Sequence, residues 1–111
     1  MDQIAKYKKI IRELVEHYGS IKKVPEEVQT LVAIDENHGQ YLLYNSGWKD
    51  DRRNYGCFLH IGVKDGKVHL YHDGTNLEIG AELLELGIPK EDLVLEFQAP
   101  SKRAISGYAL A

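Results

Sequence analysis

The chain has 111 residues, of which 43% are apolar and 28% charged, and its formal net charge is −3. This length and balance predict a single soluble globular domain over residues 1–111. The acidic balance argues against an autonomous DNA-binding domain, because such domains usually carry a basic excess that replaces phosphate counterions. No apolar run approaches the roughly 18 residues that span a bilayer, and no secretory signal is recognisable, so we expect a cytoplasmic protein without membrane contact.

An amphipathic helix is predicted over residues 2–18. Its apolar side chains recur at alternating spacings of three and four and form a broad stripe: Ile4, Tyr7, Ile11, Leu14 and Tyr18, with Ile10 and Val15 beside them. Two heptads are too few for a coiled coil, so the stripe is expected to pack on a sheet. Gly19 is expected to end the helix.

Four strands are predicted next, after a short connection at residues 24–27. They cover 29–35, 40–48, 55–63 and 67–73, with Asn37-His38-Gly39 as a turn and residues 49–54 as a polar loop. Asp65-Gly66 is the clearest signal, because a two-residue hairpin turn favours residues that tolerate positive φ at both positions. The strands are therefore expected to form antiparallel hairpins.

A second helix and a last strand are predicted in the C-terminal third. Thr75 to Glu78 has the spacing of a capping box, the helix is expected to run to about Leu86, and Gly87 and Pro89 should end it. Leu93, Leu95 and Phe97 alternate as in a short strand. The order α-β-β-β-β-α-β predicts an α+β fold: an antiparallel sheet of about four to five strands with two helices packed on one face.

The tight Asp65-Gly66 turn allows side chains to be assigned to the two faces of the sheet. Counting outward from the turn, His60 should face Tyr71 and Leu59 should face His72. Alternation then predicts a core face made of Leu59, Ile61, Val63, Val68 and Leu70. The opposite face should carry Phe58, His60, His69 and Tyr71.

The histidines and the cysteine do not make a convincing metal site. His60 and His69 are predicted neighbours, but His72 should point to the other face, and zinc needs at least three converging ligands. Cys57 is the only cysteine, which excludes an intrachain disulfide, and its apolar setting predicts a buried, unreactive thiol. We therefore expect no metal and no cofactor, and the His–Tyr face is either a polar outer face or a partner surface.

No arrangement of residues predicts catalysis. Asp50 and Asp51 are adjacent in a turn, so nothing holds them at the separation that acid–base hydrolysis requires. Asp65 and Lys67 resemble a nuclease pair in spacing, but they belong to the hairpin turn. No nucleophile elbow, dinucleotide-binding glycine motif or phosphate-binding loop is present. We expect that the protein is not an enzyme.

Trp48, Arg52, Arg53 and Tyr55 are the strongest candidates for a recognition site. One interpretation makes the two aromatic residues strand-end packing residues and pairs the arginines with Asp50 and Asp51. The other makes all four a contact surface, because Trp, Tyr and Arg are the residue types enriched at binding hot spots and polar loops often display recognition. The residues alone leave both interpretations open.

Two long stretches of the sequence resemble a known protein family. The stretches NSGWKDDRRNYGCFLHIGVKDGKVHLYHDGT and AELLELGIPKEDLVLEFQAP resemble the XisI family, the excision-controlling factors associated with the fdxN element of cyanobacteria. The resemblance implies a non-catalytic accessory or regulatory factor for site-specific excision of a DNA element, with a separate recombinase performing the strand chemistry. It also implies an XisH-like, nuclease-like protein as the partner. It supplies no catalytic or ligand residues.

Two other hypotheses remain beside this one. The chain could be an antitoxin-like or immunity-like subunit that restrains a nuclease-like partner. It could also bind nucleic acid directly through its local basic clusters, which the net charge makes the weakest of the three. A homo-oligomer formed through an exposed strand edge is also open. For partner binding, the candidate residues are Trp48, Arg52, Arg53, Tyr55, His60, His69 and Tyr71.

Overall fold

The computed structural model describes residues 2–21 and 27–111, so the connection predicted at residues 24–27 lies outside them except for Glu27. The described residues form three helices: α1 (Gln3–Gly19), α2 (Ile79–Glu85) and α3 (Pro100–Ser106). The same residues form five strands: β1 (Val28–Asp35), β2 (Gln40–Lys49), β3 (Arg52–Lys64), β4 (Lys67–Asp73) and β5 (Leu93–Leu95). A 3-10 turn, Lys90–Asp92, precedes β5.

The strands form one sheet in the order β1-β2-β3-β4-β5. The first four are antiparallel neighbours, whereas β5 pairs with β4 in parallel. The predicted α+β class is confirmed, but the sheet is mixed, because the connection through α2 returns the chain to the sheet in the direction of β4. The order of the described elements is α-β-β-β-β-α-β-α, which includes a third helix, α3, that was not predicted from the sequence.

Helix α1 packs across β1, β2 and β3 and thereby defines the inner face of the sheet; the opposite side is called the outer face. Asp2 caps the helix, accepting a hydrogen bond of 2.8 Å from the Ala5 amide. The helix ends at Gly19, as predicted, and Ser20 follows as its C-cap with φ −85° and ψ −11°. The glycine also serves packing, since a Cβ there would lie 2.2 Å from Val32 Cγ2.

The hydrophobic core lies between the inner face and helices α1 and α2. The predicted core residues of β3 and β4 are all buried in it: Leu59, Ile61, Val63, Val68 and Leu70. Strand β5 ends at Leu95, and Phe97, which was predicted to continue it, is about half exposed. The apolar stripe of α1 faces this core as predicted, with Tyr7, Ile11, Leu14 and Val15 buried.

Three tyrosines place their rings in or beside the core and donate from their hydroxyls to carboxylates at its rim. Tyr7 donates to Asp92, Tyr18 to Glu82 at 2.6 Å, and Tyr41 to Glu36 at 2.6 Å. Burial and the Asp92 hydrogen bond raise the pKa of Tyr7 to about 12, and the Glu82 hydrogen bond and burial raise the pKa of Tyr18 to about 12. The buried hydroxyls are thus satisfied as neutral donors.

The start of α2 differs from the predicted capping box. Glu78 has φ 51° and its side chain makes no capping hydrogen bond. The cap comes from Asp73 at the end of β4, whose carboxylate accepts from the Thr75 amide at 2.9 Å and from the Ile79 amide at 3.0 Å. The carboxylate therefore joins the last residue of the sheet to the first turn of the helix.

Replacing Asp73 by Ala should lower the free energy of unfolding by about 1–2 kcal/mol, because two amides lose a charged acceptor at once. Chemical denaturation measures the loss. Glu85→Ala, at the exposed end of the same helix, is the matched control and should change stability by less than about 0.5 kcal/mol. Equal effects of the two substitutions would show that the Asp73 cap does not stabilise α2.

Within the described ranges, 2–21 and 27–111, none of the helices combines the length and the apolar character that crossing a bilayer requires.

Candidate functional site

The hairpin of β2 and β3 extends beyond the predicted strands. Trp48 pairs with Arg53 and Lys49 with Arg52. The segment predicted as a polar loop over residues 49–54 is therefore strand except for a two-residue turn. Asp50 and Asp51 form this turn with φ 52° and 65°. Positive φ at both turn positions is the geometry that matches the strand twist, and Asp is among the non-glycine residues that tolerate it. The candidate residues on either side of the turn are therefore paired in a regular antiparallel ladder.

A β-bulge at Phe58 decides which side chains of β3 reach each face. Leu43 pairs with Leu59 but Tyr44 pairs with Cys57, so Phe58 is the extra residue. Phe58 packs against the core, whereas it was predicted on the outer face. Cys57 shares the outer face with Tyr44 and is exposed, so the predicted buried thiol is wrong. Its Sγ lies 3.3 Å from the Leu59 carbonyl oxygen.

Beyond this bulge, four residues of the hairpin converge on the outer face: Tyr44, Trp48, Arg53 and Tyr55, here called the aromatic–arginine cluster. The guanidinium carbon of Arg53 lies 5.8 Å from the ring centroid of Trp48 and 5.1 Å from that of Tyr55. Tyr55 meets Tyr44 edge to face at 6.1 Å. These are cation–π and aromatic contacts within their attractive ranges.

The cluster is ordered by its own contacts and yet remains open to solvent. Arg53 also donates to the Gly47 carbonyl oxygen at 3.3 Å and to Ser46 Oγ at 3.2 Å. The two large rings stay exposed, Trp48 by 58% and Tyr55 by 65%. A rigid, exposed Trp–Arg–Tyr arrangement loses little side-chain entropy when it binds, which is the property of a contact surface.

Arg52 does not join the cluster, although the sequence placed the four hairpin residues together. It pairs with Lys49, one position closer to the turn than Arg53, and alternation directs it to the other side of the ladder. The two arginines therefore share an exposed hairpin tip but not a face. An open depression of about 730 Å³ runs along this tip, lined by Lys49, Asp50, Arg52, Arg53, Asn54 and Tyr55.

A second bulge, at Tyr71, changes the predicted pairing of β3 with β4. Ile61 pairs with Leu70 but His60 pairs with His72, so Tyr71 is the extra residue and the predicted His60–Tyr71 and Leu59–His72 pairs are wrong. His60 and Tyr71 still share the outer face, with ring centroids 4.6 Å apart. Tyr71 in turn stacks on His69 at 5.8 Å. The aromatic surface therefore continues from the hairpin towards β4.

His69 lies beneath this surface rather than on it. It is only 6% exposed. Its Nδ1 lies 2.6 Å from Glu96 Oε2 and its Nε2 lies 3.2 Å from the Lys64 carbonyl oxygen, while Arg103 Nη2 lies 3.5 Å from the other Glu96 oxygen. Because both ring nitrogens are engaged, His69 supports Tyr71 from within the fold and does not present itself to a partner.

Metal binding gains no support from the residues that the structure describes, where no group of three or more His, Cys, Asp or Glu side chains is arranged to hold an ion. His60 Nε2 lies 2.6 Å from Gln40 Oε1. Burial, and then the charge of His72, hold the pKa of His60 below its ordinary value of 6.5. At neutral pH His60 is therefore an uncharged member of the outer face.

Replacing His72 by Gln should raise the pKa of His60, because it removes the positive neighbour, and should leave it below 6.5, because burial remains. Titration followed by NMR of the ring protons measures this. The unfolded chain binds this proton more tightly than the folded one, so the contribution of His60 to stability is present above about pH 6.5 and is lost as the pH falls. His38→Gln, in the β1–β2 turn, is the control, and a His60 titration unmoved by His72→Gln would contradict the account.

The structure thus unites two candidate regions that the sequence kept apart. Trp48, Arg53, Tyr55, His60 and Tyr71 share the outer face, while Arg52 and His69 do not lie on its accessible surface. Tyr44, which completes the cluster through Tyr55, was not predicted from the sequence. Alternation along β2 could have found it, since Tyr44 and Trp48 are four residues apart and share a face.

The fold and this face define the chain as an α+β protein whose mixed sheet is covered on one side by α1 and displays aromatic residues on the other. The family model described as XisI protein matches residues 1–110. The chain therefore belongs to the XisI family, which confirms the resemblance recognised in its motifs. A comparison with curated proteins found no match.

Two solved structures from Anabaena variabilis are similar over nearly the whole chain. A XisI-like protein has a TM-score of 0.91 and 33% identity, covering 97% of this chain and 99% of its own. The fdxN element excision controlling factor XisI has a TM-score of 0.85 and 34% identity, covering 99% of this chain and 100% of its own. The fold is thus shared with these proteins over nearly the whole chain.

Proposed function

We propose that this chain is a non-catalytic accessory factor that controls the site-specific excision of a DNA element by binding a protein partner. Membership of the XisI family and similarity to a protein described as an fdxN element excision controlling factor support the role in excision control. The partner that we propose is an XisH-like protein. The aromatic–arginine cluster is the surface that binds it.

The observation that carries this proposal is Arg53 held between the exposed rings of Trp48 and Tyr55. Large apolar rings held open to water cost solvation free energy in a monomer, so an ordered cluster of them favours a contact site. Trp, Tyr and Arg are also the residues that dominate measured binding energy at protein interfaces. The cluster lies on the hydrogen-bonded strands of the hairpin rather than on an irregular loop.

The charge distribution favours a protein over nucleic acid as the ligand. The net charge is −3, and at the hairpin tip Lys49, Arg52 and Arg53 are accompanied by the turn residues Asp50 and Asp51. Nucleic-acid surfaces need a clear basic excess, because each neutralised phosphate contributes through counterion release. A mixed-charge, aromatic surface instead matches a partner that offers apolar side chains and carboxylates.

Co-expression with an XisH-like protein tests the proposal. We expect affinity capture of one protein to retain the other, and size exclusion to give one complex containing both. The complex should bind DNA no more tightly than the XisH-like protein alone. Titration of the isolated chain with DNA at low salt should show no binding. Two proteins that elute separately would contradict the proposed partner. Steeply salt-dependent DNA binding by the isolated chain would contradict the proposed mode of action.

Co-expression also separates an excision factor from an antitoxin-like subunit. If the XisH-like protein arrests growth when produced alone and is harmless together with this chain, the complex restrains a toxic activity. If the partner is harmless in both cases, restraint of a toxin is excluded and the accessory role stands.

A further inference from the structure

Strand β1 forms one edge of the sheet, and among the described residues no strand pairs with its free side. It is eight residues long and its register with β2 has no bulge. Its sequence, VQTLVAID, contains no proline, lysine or arginine. Proteins usually protect a long regular edge with proline or with charged residues such as lysine, because the free N–H and C=O groups of the edge can pair with another strand.

The opposite edge of the same sheet shows how this chain protects an edge. Strand β5 has only three residues. Ala109 covers the free edge of β5. It forms an isolated bridge with Val94, and its amide donates a hydrogen bond of 2.9 Å to the Leu93 carbonyl oxygen. One edge is therefore short and covered, whereas the other is long and, among the described residues, unpaired.

We propose that the open edge of β1 binds β1 of a second copy of this chain, antiparallel and with Val32 opposite Val32 on a two-fold axis. The two sheets then become one sheet of ten strands. This inference goes beyond the proposed function, because it concerns a different surface and needs no XisH-like partner.

The strand is complementary to itself in this register. Leu31 would face Ala33 on the outer face, and both side chains are apolar. Thr30 would face Ile34 on the inner face, and both side chains are β-branched. Val32 is 40% exposed although it belongs to the inner face. A second Val32 placed opposite would cover it, which removes apolar surface from water.

The charges at the ends of the strand disfavour the neighbouring register whose axis lies at Leu31. With Val32 at the centre, Asp35 faces the neutral Gln29. Moving the axis by one residue, to Leu31, would place Asp35 opposite Glu27, and like charges directly opposite each other destabilise a strand pair. Placing the axis between two residues would pair side chains on opposite faces of the sheet, which a regular ladder does not allow.

A pair of cysteine variants tests both the dimer and its register, in a Cys57→Ser background that removes the exposed native thiol. Val32→Cys places two thiols opposite each other across the axis. Thr30→Cys is the matched control on the same face of the same strand. Its two copies would lie four residues apart along the ladder, roughly 13 Å, which is too far for a disulfide.

Mild oxidation of the full chain should cross-link the Val32→Cys variant at least about tenfold more than the Thr30→Cys variant. Sedimentation of the unmodified chain should show a dimer whose fraction rises with concentration. A chain that stays monomeric at every concentration overturns the proposal. A dimer that cross-links equally through both positions, or through neither, overturns it as well, because it would use another register or another surface.

Discussion

Replacing Trp48 by Ala should weaken binding of the XisH-like partner about 30-fold or more, which corresponds to about 2 kcal/mol or more. The side chain is 58% exposed in the isolated chain, so a partner that covers it removes a large apolar ring from water. Its loss also frees Arg53 from one of its two ring contacts, which increases the entropy that binding must overcome. Titration calorimetry with the purified partner measures the change.

The fold should tolerate this substitution, because Trp48 lies outside the core cluster. We expect a change in the free energy of unfolding of less than about 1 kcal/mol. Leu77→Ala is the control, since Leu77 is similarly exposed but lines a depression beside Phe58 and Leu59 on the inner side. Loss of binding in the Leu77 variant, with binding retained in the Trp48 variant, would move the contact to the other side of the sheet.

Replacing Gly47 by Ala should destabilise the fold by about 3 kcal/mol, because the new methyl group meets backbone that cannot rotate away. Its Cβ would lie 2.1 Å from the Glu27 carbonyl oxygen and 2.7 Å from Val28 Cα. The same oxygen accepts a hydrogen bond of 3.3 Å from the Trp48 amide. The substitution therefore separates β1 from β2 at the residue beside the cluster and should also weaken partner binding.

Gly56→Ala is the matched control for this prediction. Gly56 lies on the neighbouring strand, opposite Asn45, and a Cβ there meets nothing within 4 Å. Its replacement should change stability by less than about 1 kcal/mol, and a gain is expected where alanine lowers the entropy of the unfolded chain. Urea denaturation compares the two variants. Equal stability of both would show that the close approach at Gly47 does not constrain the sheet.

The sequence predicted the elements whose patterns are local. The stripe of α1 and the Asp65-Gly66 turn both appear in the structure as expected, with φ 53° and 78° at the two turn residues. What it missed depends on tertiary context. The parallel direction of β5 follows from the connection through α2, which returns the chain to the sheet in the direction of β4. Glu78 has positive φ, and Asp73 rather than Thr75 accepts the hydrogen bond from the Ile79 amide at the start of α2.

The candidate site was harder to predict because two bulges alter the alternation on which it depends. From regular alternation, Phe58 belongs on the outer face, yet its bulge sends it to the core and exposes Cys57. No residue in that apolar stretch marks the bulge, since neither glycine at the position nor a turn signal is present. The residue types of the hairpin nevertheless identified Trp48, Arg53 and Tyr55 as candidates, and the structure brings these three into contact.

The two neighbouring arginines offer the most direct test of the central claim, that the aromatic–arginine cluster binds the partner. Arg53 lies between the rings of Trp48 and Tyr55, whereas Arg52 carries the same charge and is also exposed but lies on the opposite face. The measurement is the dissociation constant of the XisH-like partner for Arg53→Ala and Arg52→Ala, side by side. The account predicts at least about a tenfold loss for Arg53→Ala and less than about a threefold change for Arg52→Ala. Equal losses would show that binding depends on the positive charge of the hairpin tip and not on the aromatic–arginine cluster. A larger loss for Arg52→Ala would contradict the claim that the cluster binds the partner.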